Sequence, residues 1–201
     1  MPPKLDLYKV HKHEYAVTSK PEVVSIGPAK YLAIDGEGPP ASESFKCAVE
    51  ALYAVAFTIK MTKKKSGGQD YAVSKLEGQW WINGNGDFLA APKSSWKWKL
   101  LIRIPDFITQ SDLEIAVATL LKKNKPSTVS QVRLESMDEG RCVQMLHVGS
   151  YDAETPNIRR MHDFAKQNGS SPHGLHHEIY LSDPRRVAPA QLRTILRQPV
   201  R

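Results

Sequence analysis

The stretch "PAKYLAIDGEGPPASESFKCAVEALYAVAF", residues 28–57, decides the fold, because "EGRCVQMLHVGSYDAETPNIRRMHDFAKQN", residues 139–168, repeats its plan. Each begins as an apolar strand, breaks at glycine (Gly36 and Gly38 in the first, Gly149 in the second) and then enters a segment with apolar residues at helical spacing. Phe45, Val49, Leu52 and Ala56 mark one buried helix face, and Ile158, Met161 and Ala165 mark its counterpart. Ser42 and Ser44 are candidate caps for the first helix; Thr155 is the candidate for the second, ahead of Pro156 at the first helical position. The stretches overlay without a gap. The offset of 111 that takes Gly38 to Gly149 also takes Glu43 to Glu154, Tyr53 to Phe164 and Ala54 to Ala165, as a duplicated unit would.

Working outward, each copy continues into a strand, "YAVSKLEGQWWI" (71–82) after the first helix and "HHEIYLSD" (176–183) after the second. The first copy adds the β-prone run "WKWKLLIRIPDFI" (96–108) and a helix, "TQSDLEIAVATLLKKN" (109–124), that starts at Thr109 or Ser111 and stops before Pro126. The second ends in "VAPAQLRTILRQPV" (187–200), read as a short helix and a last extended piece. Strand, helix, strand, strand in each half predicts an α+β fold. Its helices pack on one face of an antiparallel sheet, in two tandem units related by a pseudo-twofold axis with a ligand cleft between them. The expected boundaries are a first repeat over about 20–108, a linking helix over about 109–125 and a second repeat over about 129–201, all within one domain, 1–201. The other face of such a sheet must meet water, a partner or a ligand.

Composition narrows the function classes. The 201 residues are 41% hydrophobic and 24% charged, ordinary for a packed globular chain. No apolar run reaches the roughly 18–20 residues that span a bilayer, and charges interrupt the N-terminus where a signal peptide needs an apolar centre; no membrane is expected, and the expected location is cytoplasmic. The net charge of +7 raises nucleic acid as a partner. Its lysines, however, cluster where helices are expected to end (Lys63, Lys64, Lys65; Lys122, Lys123, Lys125), and there they complement the helix dipole. No nucleic-acid partner is expected. Cys47 and Cys142 lack metal spacing and read as buried thiols.

Chemistry-bearing residues concentrate in "HHEIYLSDPRR", 176–186. Strand alternation puts His176, Glu178 and Tyr180 on one face and His177, Ile179 and Leu181 on the other. A carboxylate beside a phenol is the polar end of a binding site if that face lines a cavity, and a solvated edge if it does not. Trp80 and Trp81 lie on the matching strand of the first copy and point to opposite faces, so one of them faces the cleft. Trp96 and Trp98 read as sheet packing or loop cover. Tyr151 follows Gly149 at the mouth of a strand-to-helix turn, where it either presents to a site or staples the helix. His173, His176, His177 and Glu178 crowd together without the geometry of a metal set, so no metal or other cofactor is expected. No serine, threonine or cysteine sits in a nucleophile setting, and "NGNGDF" (83–88) reads as a turn rather than a phosphate loop.

Four segments, "PAKYLAIDGEG", "LEGQWW", "HVGSYDAET" and "HHEIYLSDPRRVAPAQLRTILRQPV", resemble the GyrI-like small-molecule-binding domains, over nearly all of residues 20–201. The resemblance implies tandem strand-helix-strand-strand units and a cleft for bulky hydrophobic, aromatic or cationic molecules, with Glu178 matching the family's acidic residue. The stand-alone branch resembles cyclopropanoid cyclopropyl hydrolases, which open the strained ring of flat DNA-alkylating natural products. On that resemblance Glu178 and Tyr180 are the catalytic pair, and Trp80 or Trp81 and Tyr151 join Tyr180 in an aromatic cage; the protein would detoxify such a xenobiotic. The alternative is sequestration or sensing of hydrophobic or cationic drugs without turnover.

Overall fold

The computed structural model describes residues 3–84 and 86–201; the turn read at 83–88 therefore includes a position outside the described residues. Eight strands form one sheet: β1 (Glu22–Ile26), β2 (Ala29–Glu37), β3 (Leu76–Trp81), β4 (Lys97–Ile104), β5 (Arg133–Met137), β6 (Gly140–Val148), β7 (His176–Tyr180) and β8 (Arg193–Pro199). Their order across the sheet is β1-β6-β8-β7-β3-β4-β2-β5, and every neighbouring pair is antiparallel. The helices are α1 (Leu7–Val10), α2 (Lys12–Tyr15), α3 (Glu43–Lys65), α4 (Gln110–Lys122) and α5 (Thr155–Gln167).

The order reads the same from both ends once the two halves are exchanged, which is the pseudo-twofold expected from the repeat. Ile34, Leu100 and Gly78 lie side by side across β2, β4 and β3, and Met145, Leu196 and Glu178 lie side by side across β6, β8 and β7. Gly78 and Glu178 pair with each other where the halves meet, so the axis passes between them. Each half also carries an edge strand that the sequence pattern did not mark, β1 and β5, and these are exchanged: β1 completes the second half against β6, while β5 completes the first against β2.

Local chemistry explains the helices. Ser42 caps α3 by accepting from the Phe45 N–H at 3.2 Å, and Thr109 with Asp112 makes a capping box on α4. Ala48, Leu52, Val55, Ala56 and Ile59 face the sheet from α3, against Leu32, Ile34, Leu100 and Ile102. Each fully buried leucine or isoleucine there stabilises the fold by about 1.5–3 kcal/mol. A smaller cluster packs Ile158, Met161 and Ala165 of α5 on Val143, Met145 and Leu196. Cys142 is buried, whereas Cys47 is half-buried on α3.

The opposite face of β3, β7 and β8 is covered by this chain's own N-terminal segment. There Arg103 reaches Glu14 and the Tyr15 hydroxyl, and Arg197 donates to the Glu14 carbonyl at 2.7 Å and to Glu139 at 3.3 Å. His177 lies between two carboxylates, 2.9 Å from Glu139 and 3.1 Å from Glu77. Burial by itself would raise Glu139, but His177 and Arg197 outweigh it and hold the carboxyl down at about 2. Burial likewise opposes charge on His177; Glu139 and Glu77 overcome it and lift the imidazole to about 9. With His177 protonated, three carboxylates face three cations, so the buried cluster is balanced in charge.

Candidate functional site

On the helix side of the sheet, the strands that meet at the axis bring Glu178 and Tyr180 of β7 against Trp80 of β3. Tyr180 donates its hydroxyl to Glu178 Oε2 at 2.8 Å, and Trp80 donates its indole N–H to the same hydroxyl at 3.1 Å. Room for this pair exists because position 78 is glycine. A Cβ there would stand 2.9 Å from the Tyr180 hydroxyl and 3.2 Å from the Trp80 nitrogen, inside ordinary contact distance. Tyr151 packs edge-on to Tyr180, ring centres 5.6 Å apart, and is the most exposed member at 38%. Phe45 stacks on Trp80, and Trp96 meets both Trp80 and Phe88 edge-on, so an aromatic wall extends into the first half.

A second carboxyl completes the cluster. The helix begins one residue earlier than the sequence pattern suggested: Glu154, not Thr155, is the N-cap of α5, and its side chain makes no capping bond. It turns inward, 4% exposed, against Glu178 and Thr194. Burial and the negative charge of Glu178 push Glu154 up to about 10, so it holds a proton at neutral pH. Burial, then Glu178 and Glu154, also drives Tyr180 well above the usual phenol range; burial and the two glutamates raise Tyr151 to about 12. The site therefore pairs a proton-bearing carboxyl with a hydrogen-bonded acceptor carboxylate, beside phenols that stay protonated.

The pseudo-twofold shows why this arrangement exists only once. The counterpart of Thr194 is Trp98, whose ring fills the equivalent space in the first half: a Cβ on Gly36 would lie 2.1 Å from that ring. The counterpart of Glu178 is Gly78, and the counterpart of Glu154, Glu43, is exposed on α3. One copy keeps a polar site and the other is packed solid.

Of the residues singled out by sequence, the fold thus gathers Trp80, Tyr151, Glu178 and Tyr180, while Trp81 is half-buried on the opposite face. Trp98 is core, and Trp96 is part of the aromatic wall rather than simple cover. Glu154 is the participant that sequence reasoning missed; its alignment with Glu43 was visible, but its partner 24 residues away was not. The histidines separate, with His176 behind Glu178 and His177 in the opposite-face cluster; among the described residues no group of three or more His, Cys, Asp or Glu is placed to hold a metal ion. A surface groove of about 730 Å³ runs along the outer side of α5, past Lys20, Arg159 and Phe164, away from the carboxyl pair.

Comparison with known proteins follows this geometry. Residues 19–201 match the family described as the GyrI-like small molecule binding domain. A Listeria innocua protein described as an uncharacterized conserved protein is 40% identical, with 98% of this chain and 100% of that chain covered and a TM-score of 0.92. Another Listeria innocua protein, described as a hydrolase, is 39% identical, with 99% and 100% covered and a TM-score of 0.90. The EcmrR C-terminal domain shares the fold alone, at 12% identity, 90% and 97% coverage and a TM-score of 0.61. No curated protein matched. No helix among the described residues is long and apolar enough to cross a membrane.

Proposed function

The chain belongs to the GyrI-like small molecule binding domain family, and from that premise we propose that the Glu154–Glu178 site binds a flat, hydrophobic molecule and hydrolyses an electrophilic cyclopropane in it. The observation that carries this reading is the cluster itself: Glu178 accepts the Tyr180 hydroxyl at 2.8 Å, Trp80 donates to that hydroxyl, and the buried Glu154 and the ring of Tyr151 lie beside them. The description of a 39% identical relative as a hydrolase supports it.

The chemistry asks little beyond placement. Glu178 accepts a proton from water as the water oxygen bonds to the cyclopropane methylene. The breaking C–C bond delivers its electron pair through the ring system to the ligand carbonyl, which becomes a phenolate, and Glu154 supplies that oxygen with a proton. A donor near 10 matches the pKa of a phenol, so the transfer is close to balanced. The proton on Glu178 then returns to Glu154 across the pair, and the net change is addition of one water. Tyr180 steadies the carbonyl oxygen as charge develops. Relief of ring strain and aromatisation drive the reaction, while each aromatic stacking contact adds about 0.5–1.5 kcal/mol to binding beyond burial.

The test is incubation with a cyclopropane-bearing alkylator, followed by mass spectrometry. Gain of one water that is catalytic with the wild type and lost in Glu178→Ala supports hydrolysis. Recovery of the ligand bound and unchanged supports sequestration instead, with Glu178 acting as countercharge among aromatic faces.

A further inference from the structure

The outward face of α3 is apolar where a solvated helix would be polar. Glu50, Phe57, Met61 and Lys64 follow one another at spacings of seven, four and three residues, so they share the side of α3 opposite Ala48, Leu52, Val55 and Ile59, which are buried on the sheet. Phe57 is 51% and Met61 44% exposed, and the half-buried Tyr53 stacks on Phe57 with ring centres 6.2 Å apart. Beside α3, α4 carries an exposed Ile115 on the side away from its buried Leu113, Ala116 and Leu120, and Lys63 ties the two helices by an ion pair to Asp112 at 2.8 Å. The equivalent helix of the other half gives the contrast: α5 presents Arg159, Arg160, Asp163 and Gln167 to water.

The charges at the two ends of this stripe point to its partner. Glu50 lies seven residues before Phe57 and Lys64 seven after it, while Tyr53 and Met61 lie four before and four after. A second copy of α3 laid antiparallel across a twofold axis at Phe57 therefore sets Tyr53 against Met61 and Glu50 against Lys64, each pair formed twice. Both charges are free to do so. Lys46 turns to Glu43 at 3.7 Å, and Glu50 has no ionic partner among the described residues. Lys64 approaches Asp70 only at 3.6 Å, and Lys60 already holds that carboxylate at 2.8 Å. An anionic lipid surface does not suit a stripe that carries Glu43 and Glu50 at one end, and symmetry about one residue is a requirement only of self-pairing.

We propose that the outward face of α3 is the interface of a homodimer, in which two α3 helices pack antiparallel about Phe57 with α4 of each copy at the flank. Burial of Phe57, Met61 and Tyr53 from both copies supplies the attraction, and the paired charges fix direction and register. The helix has 23 residues and is about 34 Å long at 1.5 Å per residue, long enough for the whole stripe to engage. A helix pair with its flanks falls at the small end of specific interfaces, on the order of 1,200 Å² in total, for which micromolar dissociation is expected. The interface lies on the outer surface of the helix layer, so the inference stands apart from the chemistry proposed for Glu154 and Glu178.

The test is analytical ultracentrifugation of the full chain from about 1 µM to about 200 µM, a range that brackets micromolar dissociation. The wild type should pass from monomer to dimer across it. Phe57→Glu should stay monomeric, and a melting curve at the lowest concentration, where both proteins are monomers, verifies its fold. Glu50→Lys and Lys64→Glu should each raise the dissociation constant at least about tenfold, because each sets like charges against one another twice, and the double variant should return to within about threefold of the wild type. Recovery in the double variant is a result that lost solubility or a damaged fold cannot imitate. A wild type that stays monomeric throughout overturns the proposal, and if that monomer pellets with anionic vesicles the stripe belongs to a lipid surface. A dimer that Phe57→Glu leaves intact places the contact elsewhere and overturns it too. Single reversals that weaken the dimer without recovery in the double variant overturn the antiparallel arrangement.

Discussion

A polar side chain at a helix N-cap ordinarily accepts from one of the free backbone N–H groups. Glu154 leaves those groups without a side-chain partner and points inward, and the cost shows in its ionisation. Its folded pKa, about 10, lies above the ordinary 4.5, so folding disfavours the charged form and stability falls as pH rises from about 4.5 toward 10. Glu154→Gln keeps the shape and removes that penalty. The variant should be more stable than wild type at pH 7, by at most about 3 kcal/mol in chemical denaturation, while cyclopropane hydrolysis falls by about 10²–10⁴-fold. Lower stability together with full activity would sink the assignment of Glu154. Gly78→Ala probes the same cluster from the facing strand. Its new methyl displaces the Tyr180 hydroxyl, and it should cost about 1–3 kcal/mol and weaken binding of any ligand that depends on Tyr180, readable by calorimetry and melting. That Glu178 and Tyr180 share a face was legible in the sequence because strand alternation needs only neighbours, whereas alternation left the choice between Trp80 and Trp81 open. Glu154 was not legible, since its role depends on a turn that folds it back onto another strand.

At the scale of elements, the N-terminal segment is held by its contacts rather than by its own length. Its helices α1 and α2 are four residues each, too short to stand alone. They are held by burial: Glu14 is 3% exposed against Arg103, and its carbonyl accepts from Arg197. Removing one side of a buried ion pair leaves the other charge stranded. Glu14→Ala should therefore destabilise the protein by about 3–5 kcal/mol in urea, and Arg103→Met on that background should recover part of the loss. Additive losses in the double variant would show that the pair does not act as a unit. The sequence disclosed α3, α4, α5 and the long strands through apolar periodicity and caps. It concealed β1 and β5, the two edge strands, whose residues are largely half-exposed and carry no continuous apolar signal. Their exchange between halves follows from sheet pairing across more than a hundred residues, which no local pattern encodes.

The whole molecule is a sheet with a charged cluster buried on each side of its middle strands, and the two respond to pH in ways that add. On the N-terminal side, the folded pKa of Glu139, about 2, lies below the ordinary 4.5. Its contribution is complete above pH 4.5 and lost as pH falls through 2. The folded pKa of His177, about 9, lies above the ordinary 6.5, so its contribution is complete below pH 6.5 and lost as pH rises through 9. On the helix side, Glu154 subtracts progressively above pH 4.5. Together these place maximum stability near pH 4.5, with a decline above it that steepens beyond 6.5, where His177 and Glu154 act in the same direction. Calorimetric melting from pH 2 to pH 9 checks the shape. In Glu154→Gln the decline from 4.5 to 6.5 should flatten while that from 6.5 to 9 persists, because the remainder belongs to His177. A melting temperature that climbs between pH 6.5 and 9 in that variant would mean that the imidazole between Glu77 and Glu139 is not the charged partner its geometry requires.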